Sequence, residues 1–393
     1  MKKLFALLVL LAIVFGVAAM AEETFKVGAY FGLTGAQSVY GNEALNSIKL
    51  GAEYINQNGG FNGVPVEIVS YDTQSSPEEA IKIVNKLMDQ DHVGACIGSM
   101  NSGEVLATAG FLNDAGVYTI GCGTSPSWMA KDWPYVFRAS MNNDFGAAVQ
   151  VQMATELGAQ TVAYMYGQDD SSTATFNTLK ALGEAAGLKS VTEQSYDATD
   201  NDFSAQIAKI VSKNPDVVIL AISGDAMPVI IKQMRQLGYN GVLVHKECVS
   251  SATLDITGVD NATFVCFPTP YVTYTTVEEC DIPVMKDFLQ RYQDAYGVVP
   301  STDSSYRGWD SIMVMWEASK IAGSNDSTAL RDATHTISGL SGLGGTLDYT
   351  SGNREGYNKL NAFIYVDGQN ILFDDWMQNG GFEAYKARTG RQH

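Results

Sequence analysis

The chain has 393 residues, of which 46% are hydrophobic and 17% are charged, a composition typical of folded globular proteins rather than disordered ones. Its formal net charge of −18 disfavours binding to phosphate backbones and anionic lipid surfaces, so we predict no nucleic acid partner. At this length about two domains are expected, because a domain commonly holds ~150 residues.

Residues 1–21 have the pattern of a secretory signal peptide. Lys2 and Lys3 precede an apolar run over residues 4–14, and Ala19 and Ala21 fit an A-x-A cleavage site. The apolar run is shorter than the ~20 residues that span a bilayer, which disfavours an uncleaved anchor helix. We therefore predict an exported protein that is free in the periplasm after cleavage.

Five cysteines leave at least one thiol unpaired in an oxidising compartment. Cys266 and Cys280 flank a segment rich in Pro and Thr and form the preferred predicted disulfide, with Cys248 as a competitor for Cys266. Cys96 and Cys122 lie near predicted strand ends, where a bridge and a buried thiol are both compatible with the pattern. The cysteines lack C-x-x-C spacing, and we predict neither a metal site nor a cofactor.

The first third of the mature chain alternates between short apolar runs and helical patterns. Predicted strands cover residues 25–33, 64–71, 94–98 and 118–121. Predicted helices between them cover residues 43–58, 77–90 and 104–115. Strands that are separated by helices cannot form hairpins, so the pattern indicates a parallel sheet that is buried on both faces.

The same α/β pattern then restarts. Predicted helices cover residues 145–157, 173–186, 203–212 and 225–237. Predicted strands cover residues 161–166, 190–194, 216–222, 241–244 and 263–267. Two doubly wound, Rossmann-like lobes of this kind present their strand ends to a shared cleft, which is where such sheets bind ligands.

Three consecutive helical patterns follow Pro268, and helices without strands of their own must pack on an existing sheet. They cover residues 281–296, 304–321 and 329–337. We expect them on the first lobe, with strands at residues 360–366 and 371–373 returning to the second.

This arrangement requires three chain crossings, near Asn142, Pro270 and Gly352, and short multiple crossings act as a hinge. We predict a first lobe of residues 22–142 with 271–352. The predicted second lobe consists of residues 143–270 with 353–393.

Two loops rich in Gly and hydroxyl residues directly follow predicted strands of the first lobe. The loop at residues 98–104 contains Ser102 and opens a helix, whose N-terminal amides and partial positive charge can hold a carboxylate. Thr124 and Ser125, in the loop at residues 121–127, can add donors. Plain N-capping of the helices is an equally good interpretation of these residues.

Glu247 follows an apolar strand of the second half and can neutralise a ligand ammonium group. The alternative is a surface glutamate that pairs with Lys246. Donors on one lobe and an acid on the other match the two ends of a zwitterion, which would draw the lobes together.

Several motifs near the start of the mature chain resemble a known family. They are KVGAYFGLTG at residues 26–35, Tyr40-Gly41, GAEYIN at residues 51–56 and GGFNG at residues 59–63. Together they resemble the periplasmic binding proteins of the leucine/isoleucine/valine type, and the resemblance extends over essentially the whole mature chain. It implies a type I binding-protein fold and the substrate-binding role of an ABC importer. We expect a monomer that closes on a free amino acid and delivers it to a membrane permease.

The resemblance also implies roles for individual residues. Tyr40 is expected to line the side-chain pocket, and Glu247 is expected to receive the ammonium group. The ligand carboxylate is expected at four positions of the first lobe: Ser102, Gly123, Thr124 and the adjacent Ser125.

Because the sequence departs from the family pattern in two loops, the identity of the ligand side chain stays open. Ser172 and Ser223 lie in loops where relatives often carry an aromatic residue, so a larger ligand side chain would have room there. Tyr271 and Tyr274, at a chain crossing, are candidates for covering the ligand. The expected ligand is a branched-chain, aliphatic or aromatic amino acid, and the alternative is a carboxylate without an amine, such as an aromatic acid.

A secreted serine hydrolase is a lower alternative. It would need a base beside Ser102, and among the four histidines only His245 is a candidate. Ser102 lacks the G-x-S-x-G surroundings of a nucleophile elbow, and the chain lacks phosphate-loop and dinucleotide motifs. We therefore predict a binding protein and not an enzyme.

Overall fold

The computed structural model describes residues 23–140, 142–197, 199–222, 226–357 and 360–392. The predicted signal peptide lies outside these residues. Among them, no helix is both long enough and apolar enough to cross a membrane. The predicted alternation of strands and helices is confirmed, and it forms two lobes, each built on its own sheet.

The first lobe is built on a five-stranded parallel sheet with strand order β2-β1-β3-β4-β5. Its strands are β1 (Phe25–Phe31), β2 (Val66–Asp72), β3 (Ala95–Gly98), β4 (Tyr118–Gly121) and β5 (Val136–Arg138). The connecting helices are α1 (Ser38–Gln57), α2 (Pro77–Asp89), α3 (Ser102–Asp114) and α4 (Pro126–Met129). Strand β5 and helix α4 were not predicted, because such short elements carry almost no periodic signal.

The second lobe is built on a seven-stranded sheet with strand order β14-β13-β10-β9-β8-β6-β7. Its first five strands are β6 (Thr161–Gly167), β7 (Lys189–Tyr196), β8 (Val217–Ala221), β9 (Val242–His245) and β10 (Val265–Thr269). The helices among and before them are α5 (Asn143–Glu156), α6 (Asp170–Ala185), α7 (Ser204–Ser212), α8 (Ala226–Gln236), α9 (Ser251–Thr257) and α10 (Val259–Ala262).

The second sheet is parallel in its central strands, as predicted, and antiparallel at one edge. Strand β13 (Asn361–Val366) pairs antiparallel with β10, and β14 (Gln369–Leu372) pairs antiparallel with β13. The loop between β13 and β14 consists of Asp367 and Gly368, which have φ angles of 47° and 97°. Asp-Gly with positive φ at both positions is the usual two-residue hairpin turn, which forces the antiparallel direction.

The three helices after Pro268 pack on the first lobe, as predicted. They are α11 (Pro283–Tyr296), α12 (Ser304–Ala322) and α13 (Ser327–Thr334). Phe288 and Ile312 share a hydrophobic core with Val27 of β1. Helices α1 and α12 pack closely at Gly308. A Cβ atom at this position would lie 2.5 Å from the backbone oxygen of Ala44.

The remaining elements close the two lobes. The hairpin β11 (Leu340–Gly342) and β12 (Gly345–Leu347) follows α13, and helices α14 (Phe373–Gln378) and α15 (Gly381–Thr389) follow β14. The lobe boundaries near Asn142, Pro270 and Gly352 stay a prediction. Tyr357 packs in the first-lobe core, so a segment beyond Gly352 still contacts that lobe.

The predicted disulfide is wrong, because all five cysteines are free and buried. Cys266 lies in the core of the second lobe, whereas Cys280 lies in that of the first. Burial raises the pKa of Cys96 to about 12 and that of Cys122 to about 11, so both thiols stay protonated. The Pro- and Thr-rich segment between Cys266 and Cys280 carries the chain from one lobe to the other.

Candidate functional site

A cleft with a volume of about 370 Å³ lies between the two lobes. Loops at the carboxyl ends of strands from both sheets line it, as expected for doubly wound sheets. Tyr40, Ser102 and Thr124 line it from the first lobe, and Glu247 lines it from the second. The structure therefore brings together four of the residues that the sequence singled out.

Ser102 does not serve as the cap of helix α3. The preceding residue, Asn101, caps the helix, and its side-chain oxygen accepts a hydrogen bond from the amide of Gly103 at 2.9 Å. The Ser102 hydroxyl oxygen instead accepts a hydrogen bond from the amide of Ser125 at 3.1 Å. This leaves the hydroxyl hydrogen of Ser102, which lines the cleft, available to an acceptor in the cleft.

Ser125 and Gly123 shape the cleft without lining it. The Ser125 hydroxyl caps helix α4 by accepting from the amide of Ser127 at 3.2 Å. A Cβ at Gly123 would lie 2.6 Å from the Ser102 hydroxyl oxygen, so only glycine fits there. The buried guanidinium of Arg138 donates a hydrogen bond to the carbonyl of Thr124 at 3.0 Å and so holds this loop in place.

Glu247 and Lys246 are both buried, with exposed fractions of 9% and 2%, so the alternative of a surface ion pair is wrong. One carboxylate oxygen of Glu247 lies 4.0 Å from the Lys246 ammonium nitrogen. The other accepts a hydrogen bond from Tyr40 across the cleft at 3.5 Å, which is long. Among the described residues, the Glu247 carboxylate therefore has no short hydrogen bond.

His245 is not placed to activate Ser102. Its imidazole is fully buried, and its Nδ1 accepts from the backbone amide of Glu247 at 3.0 Å. The other ring nitrogen lies 3.4 Å from the carbonyl of Ile222. Burial lowers the pKa of His245 to about 4, so the ring stays neutral at physiological pH. The structure does not bring the two residues of the hydrolase alternative together.

Two other residues of the predicted site lie away from the cleft, and a third lies outside the residues that the structure describes. Ser172 is fully buried in the first turn of α6, and it is its neighbour Ser171 that lines the cleft. Tyr271 is also fully buried, and its hydroxyl donates to Asp310 at 3.2 Å within the first-lobe core. The expectation that Tyr271 covers the ligand is therefore corrected. Ser223 lies outside the described residues.

The sequence interpretation missed several charged and aromatic residues of the cleft. Arg307, near the start of α12, lines it and is bound by Asp303. Asp169 and Tyr196 line it from the second lobe. The i,i+4 spacing of Asp303 and Arg307 is typical of an exposed helical pair, so no local signal distinguishes their buried position.

The chain matches the family model described as periplasmic binding protein over residues 24–369. The chain belongs to the periplasmic binding protein family. This result confirms the family expected from the motifs, and the proteins it resembles are solute-binding proteins rather than enzymes.

One curated relative is the leucine-, isoleucine-, valine-, threonine-, and alanine-binding protein of Pseudomonas aeruginosa. It is 25% identical over 237 residues, which are 60% of this chain and 63% of that protein. The match thus spans less than two thirds of the relative's length.

Solved structures share the fold. A leucine binding protein, LivK, from Thermotoga maritima has a TM-score of 0.77 and 24% identity, covering 89% of this chain and 97% of that one. An ABC transporter solute binding protein from R. palustris, in complex with benzoate, has a TM-score of 0.78 and 20% identity. That match covers 89% of this chain and 95% of the other. These structures confirm the two-lobed α/β fold.

Proposed function

We propose that the cleft binds a free α-amino acid in the periplasm and that the closed, monomeric protein delivers it to a membrane ABC importer. The buried carboxylate of Glu247 is the observation that carries this proposal. A buried carboxylate without short hydrogen bonds is costly unless a partner completes it. A ligand ammonium group supplies both the opposite charge and three donors.

The opposite wall supports the second half of the proposal. The Ser102 hydroxyl and the loop that contains Thr124 offer donors to a carboxylate, and the N-terminus of α3 adds partial positive charge. Hydrogen bonds to charged groups contribute roughly 1.5–3 kcal/mol each, so a few suffice for micromolar affinity at about −8 kcal/mol. Because each end of the ligand contacts a different lobe, binding favours closure.

A carboxylate without an amine is the alternative, since one solved structure of the same fold is a complex with benzoate. Such a ligand would leave the buried Glu247 carboxylate with the Lys246 ammonium at 4.0 Å and the Tyr40 hydroxyl at 3.5 Å, and without a short hydrogen bond among the described residues. It would also add a net negative charge to a cleft whose described lining carries three carboxylates, those of Asp169, Asp200 and Glu247, against the two cations of Lys246 and Arg307. These charges favour the amino acid.

Replacement of Glu247 by Gln tests the assignment while keeping the shape of the side chain. Thermal-shift screening of the common amino acids identifies a binder, and calorimetry then compares it with its deaminated analogue. We expect Glu247→Gln to weaken the amino acid by about 30-fold and to change the analogue little, because only the amino acid loses an ion pair. Glu53→Gln, on the exposed face of α1, is the matched control. Equal losses for both ligands would contradict the proposal.

A further inference from the structure

Arg307 presents an unused edge of its guanidinium group to the cleft. Its exposed fraction is only 3%, and its Nε and Nη2 both donate to one oxygen of Asp303, at 3.1 and 2.5 Å. Its Nη1 has no hydrogen-bond partner anywhere in the described part of the chain, although Arg307 lines the same cleft as Glu247. The contact with Asp303 holds one edge of the guanidinium and leaves the other edge for the cleft.

The guanidinium of Arg307 stays positively charged. Burial alone would lower its pKa, but the neighbouring Asp303 and Glu247 carboxylates raise it above the ordinary arginine value. A guanidinium is a planar donor without acceptor capacity, so only a hydrogen-bond acceptor can complete its free edge. A purely aliphatic group in that position would displace water and leave buried donors unsatisfied.

The cleft wall as a whole is also poorly matched to an aliphatic side chain. Met100, Phe203 and Val229 are the described lining residues that offer a purely apolar side chain larger than a methyl group. Polar lining residues include Gln37, Asn101, Gln168, Asp169, Ser171 and Asn201. Pockets selective for aliphatic groups are lined mainly by hydrophobic side chains, with few polar groups.

We propose that Arg307 reads the side chain of the bound amino acid and that the preferred ligand carries an acceptor oxygen there, in a carboxylate or an amide. This inference rests on the proposed function and specifies its substrate class. Arg307 contacts the ligand side chain directly, whereas Asp303 is a positioning residue that orients the guanidinium.

The wild-type protein provides the first test. Leucine, asparagine and aspartate share a branched shape at Cγ and differ in whether an acceptor oxygen is present, and glutamine and glutamate extend the series by one methylene. We expect calorimetry to show the best acceptor-bearing amino acid binding about ten-fold or more tighter than leucine. The comparison of carboxylate with amide identifies which acceptor is preferred. Leucine binding as tightly as the best of them would overturn the inference.

A paired variant provides the second test. Arg307→Met alone would leave Asp303 as an unpaired buried charge, so the substitution is combined with Asp303→Asn. We expect the double variant to lose about ten-fold or more affinity for the acceptor-bearing ligand and to keep its affinity for leucine within about three-fold. Equal losses for both ligands would show that Arg307 has a structural role only. If the variant does not fold, the wild-type series decides.

Failure of the proposed function gives a different result. In that case no amino acid binds the wild-type protein, or Glu247→Gln has no effect on any of them. Failure of the inference alone leaves amino acid binding and its dependence on Glu247 intact and removes only the preference for an acceptor in the side chain.

Discussion

At the scale of single residues, adjacent polar side chains of the first-lobe loop perform separate tasks. Asn101 caps helix α3, so the hydroxyl of Ser102 is released from capping. The Ser102 oxygen accepts from the buried amide of Ser125, and its own hydrogen stays available to another acceptor. One side chain thus satisfies a backbone donor and still offers a donor to the proposed carboxylate.

Ser102→Ala should therefore weaken the amino acid and its deaminated analogue equally, since both carry the carboxylate. The expected loss is roughly 10- to 150-fold, for a hydrogen bond to a charged group worth about 1.5–3 kcal/mol. Calorimetry with both ligands measures it. Ser76→Ala, which removes the cap of α2, is the control that lowers stability without changing affinity. A loss confined to the amino acid would place the carboxylate elsewhere.

At the scale of elements, helix α3 carries a buried acid as well as the proposed anion-binding end. Glu104 is fully buried, and neither of its carboxylate oxygens has an aligned hydrogen-bond partner among the described residues. Burial raises the pKa of Glu104 to about 7, against the opposing effect of the nearby Ser99 and Thr73 hydroxyls. The partial positive charge at the helix N-terminus is insufficient to keep the acid ionised at lower pH.

This pKa predicts a stability that falls as the pH rises. The native state holds the proton up to about pH 7, whereas the unfolded state releases it near pH ~4.3, so unfolding becomes easier between these values. Raising the pH from 5 to 8 should therefore lower the free energy of unfolding by about 2–3 kcal/mol through the ionisation of Glu104. Urea unfolding at both pH values should show a pH dependence that is smaller by this amount in Glu104→Gln than in the wild type, because other buried groups such as Asp310 and His245 also change protonation over this range.

The control for this experiment is Glu53→Gln, which changes an exposed glutamate on α1. Its pH dependence should match that of the wild type. If Glu104→Gln retained the same dependence as the wild type, the destabilisation at high pH would have to come from another group, and Glu104 would be ionised without cost.

Elements with a repeated pattern could be predicted from the sequence, and elements set by one or two residues could not. Helix α12 was predicted to within one residue at its C-terminus, because its periodicity extends over several turns. Strand β5 is too short for such a signal. The Asp367-Gly368 hairpin was missed although its dipeptide is a recognised turn signal, because the two predicted strands beside it were assigned to the second lobe without a pairing direction.

Site residues that directly follow a strand could be predicted from the local sequence. Site residues that depend on packing between distant parts of the chain could not. Glu247 and Ser102 follow strands directly, and strand ends of parallel sheets meet at one edge. Arg307 reaches the cleft only because α12 returns from a distant part of the chain to pack on α1. Tyr271 was expected at the cleft because it lies at a crossing, yet its hydroxyl turns inward to Asp310.

At the scale of the whole molecule, the lobes contact each other directly beside the cleft. The Ser127 hydroxyl, on α4 of the first lobe, donates to the Asp170 carboxylate at 2.8 Å. Asp170 is the first residue of α6 in the second lobe. Because the partners belong to different lobes, we expect this hydrogen bond to add to the closure free energy that the ligand supplies.

A double-mutant cycle on ligand affinity tests this contact. Asp170→Ala alone also removes a favourable charge from the N-terminus of α6, but that effect cancels in the cycle with Ser127→Ala. We expect a coupling energy of about 0.5–1.5 kcal/mol, or roughly two- to ten-fold in Kd, which stopped-flow measurements should assign mainly to faster ligand release. Asp170→Asn keeps an acceptor for Ser127 and should retain most of the affinity. Additive effects of Ser127→Ala and Asp170→Ala would mean that this hydrogen bond does not contribute to closure, because a contact that stabilises only the closed form must appear in the affinity as a coupled loss.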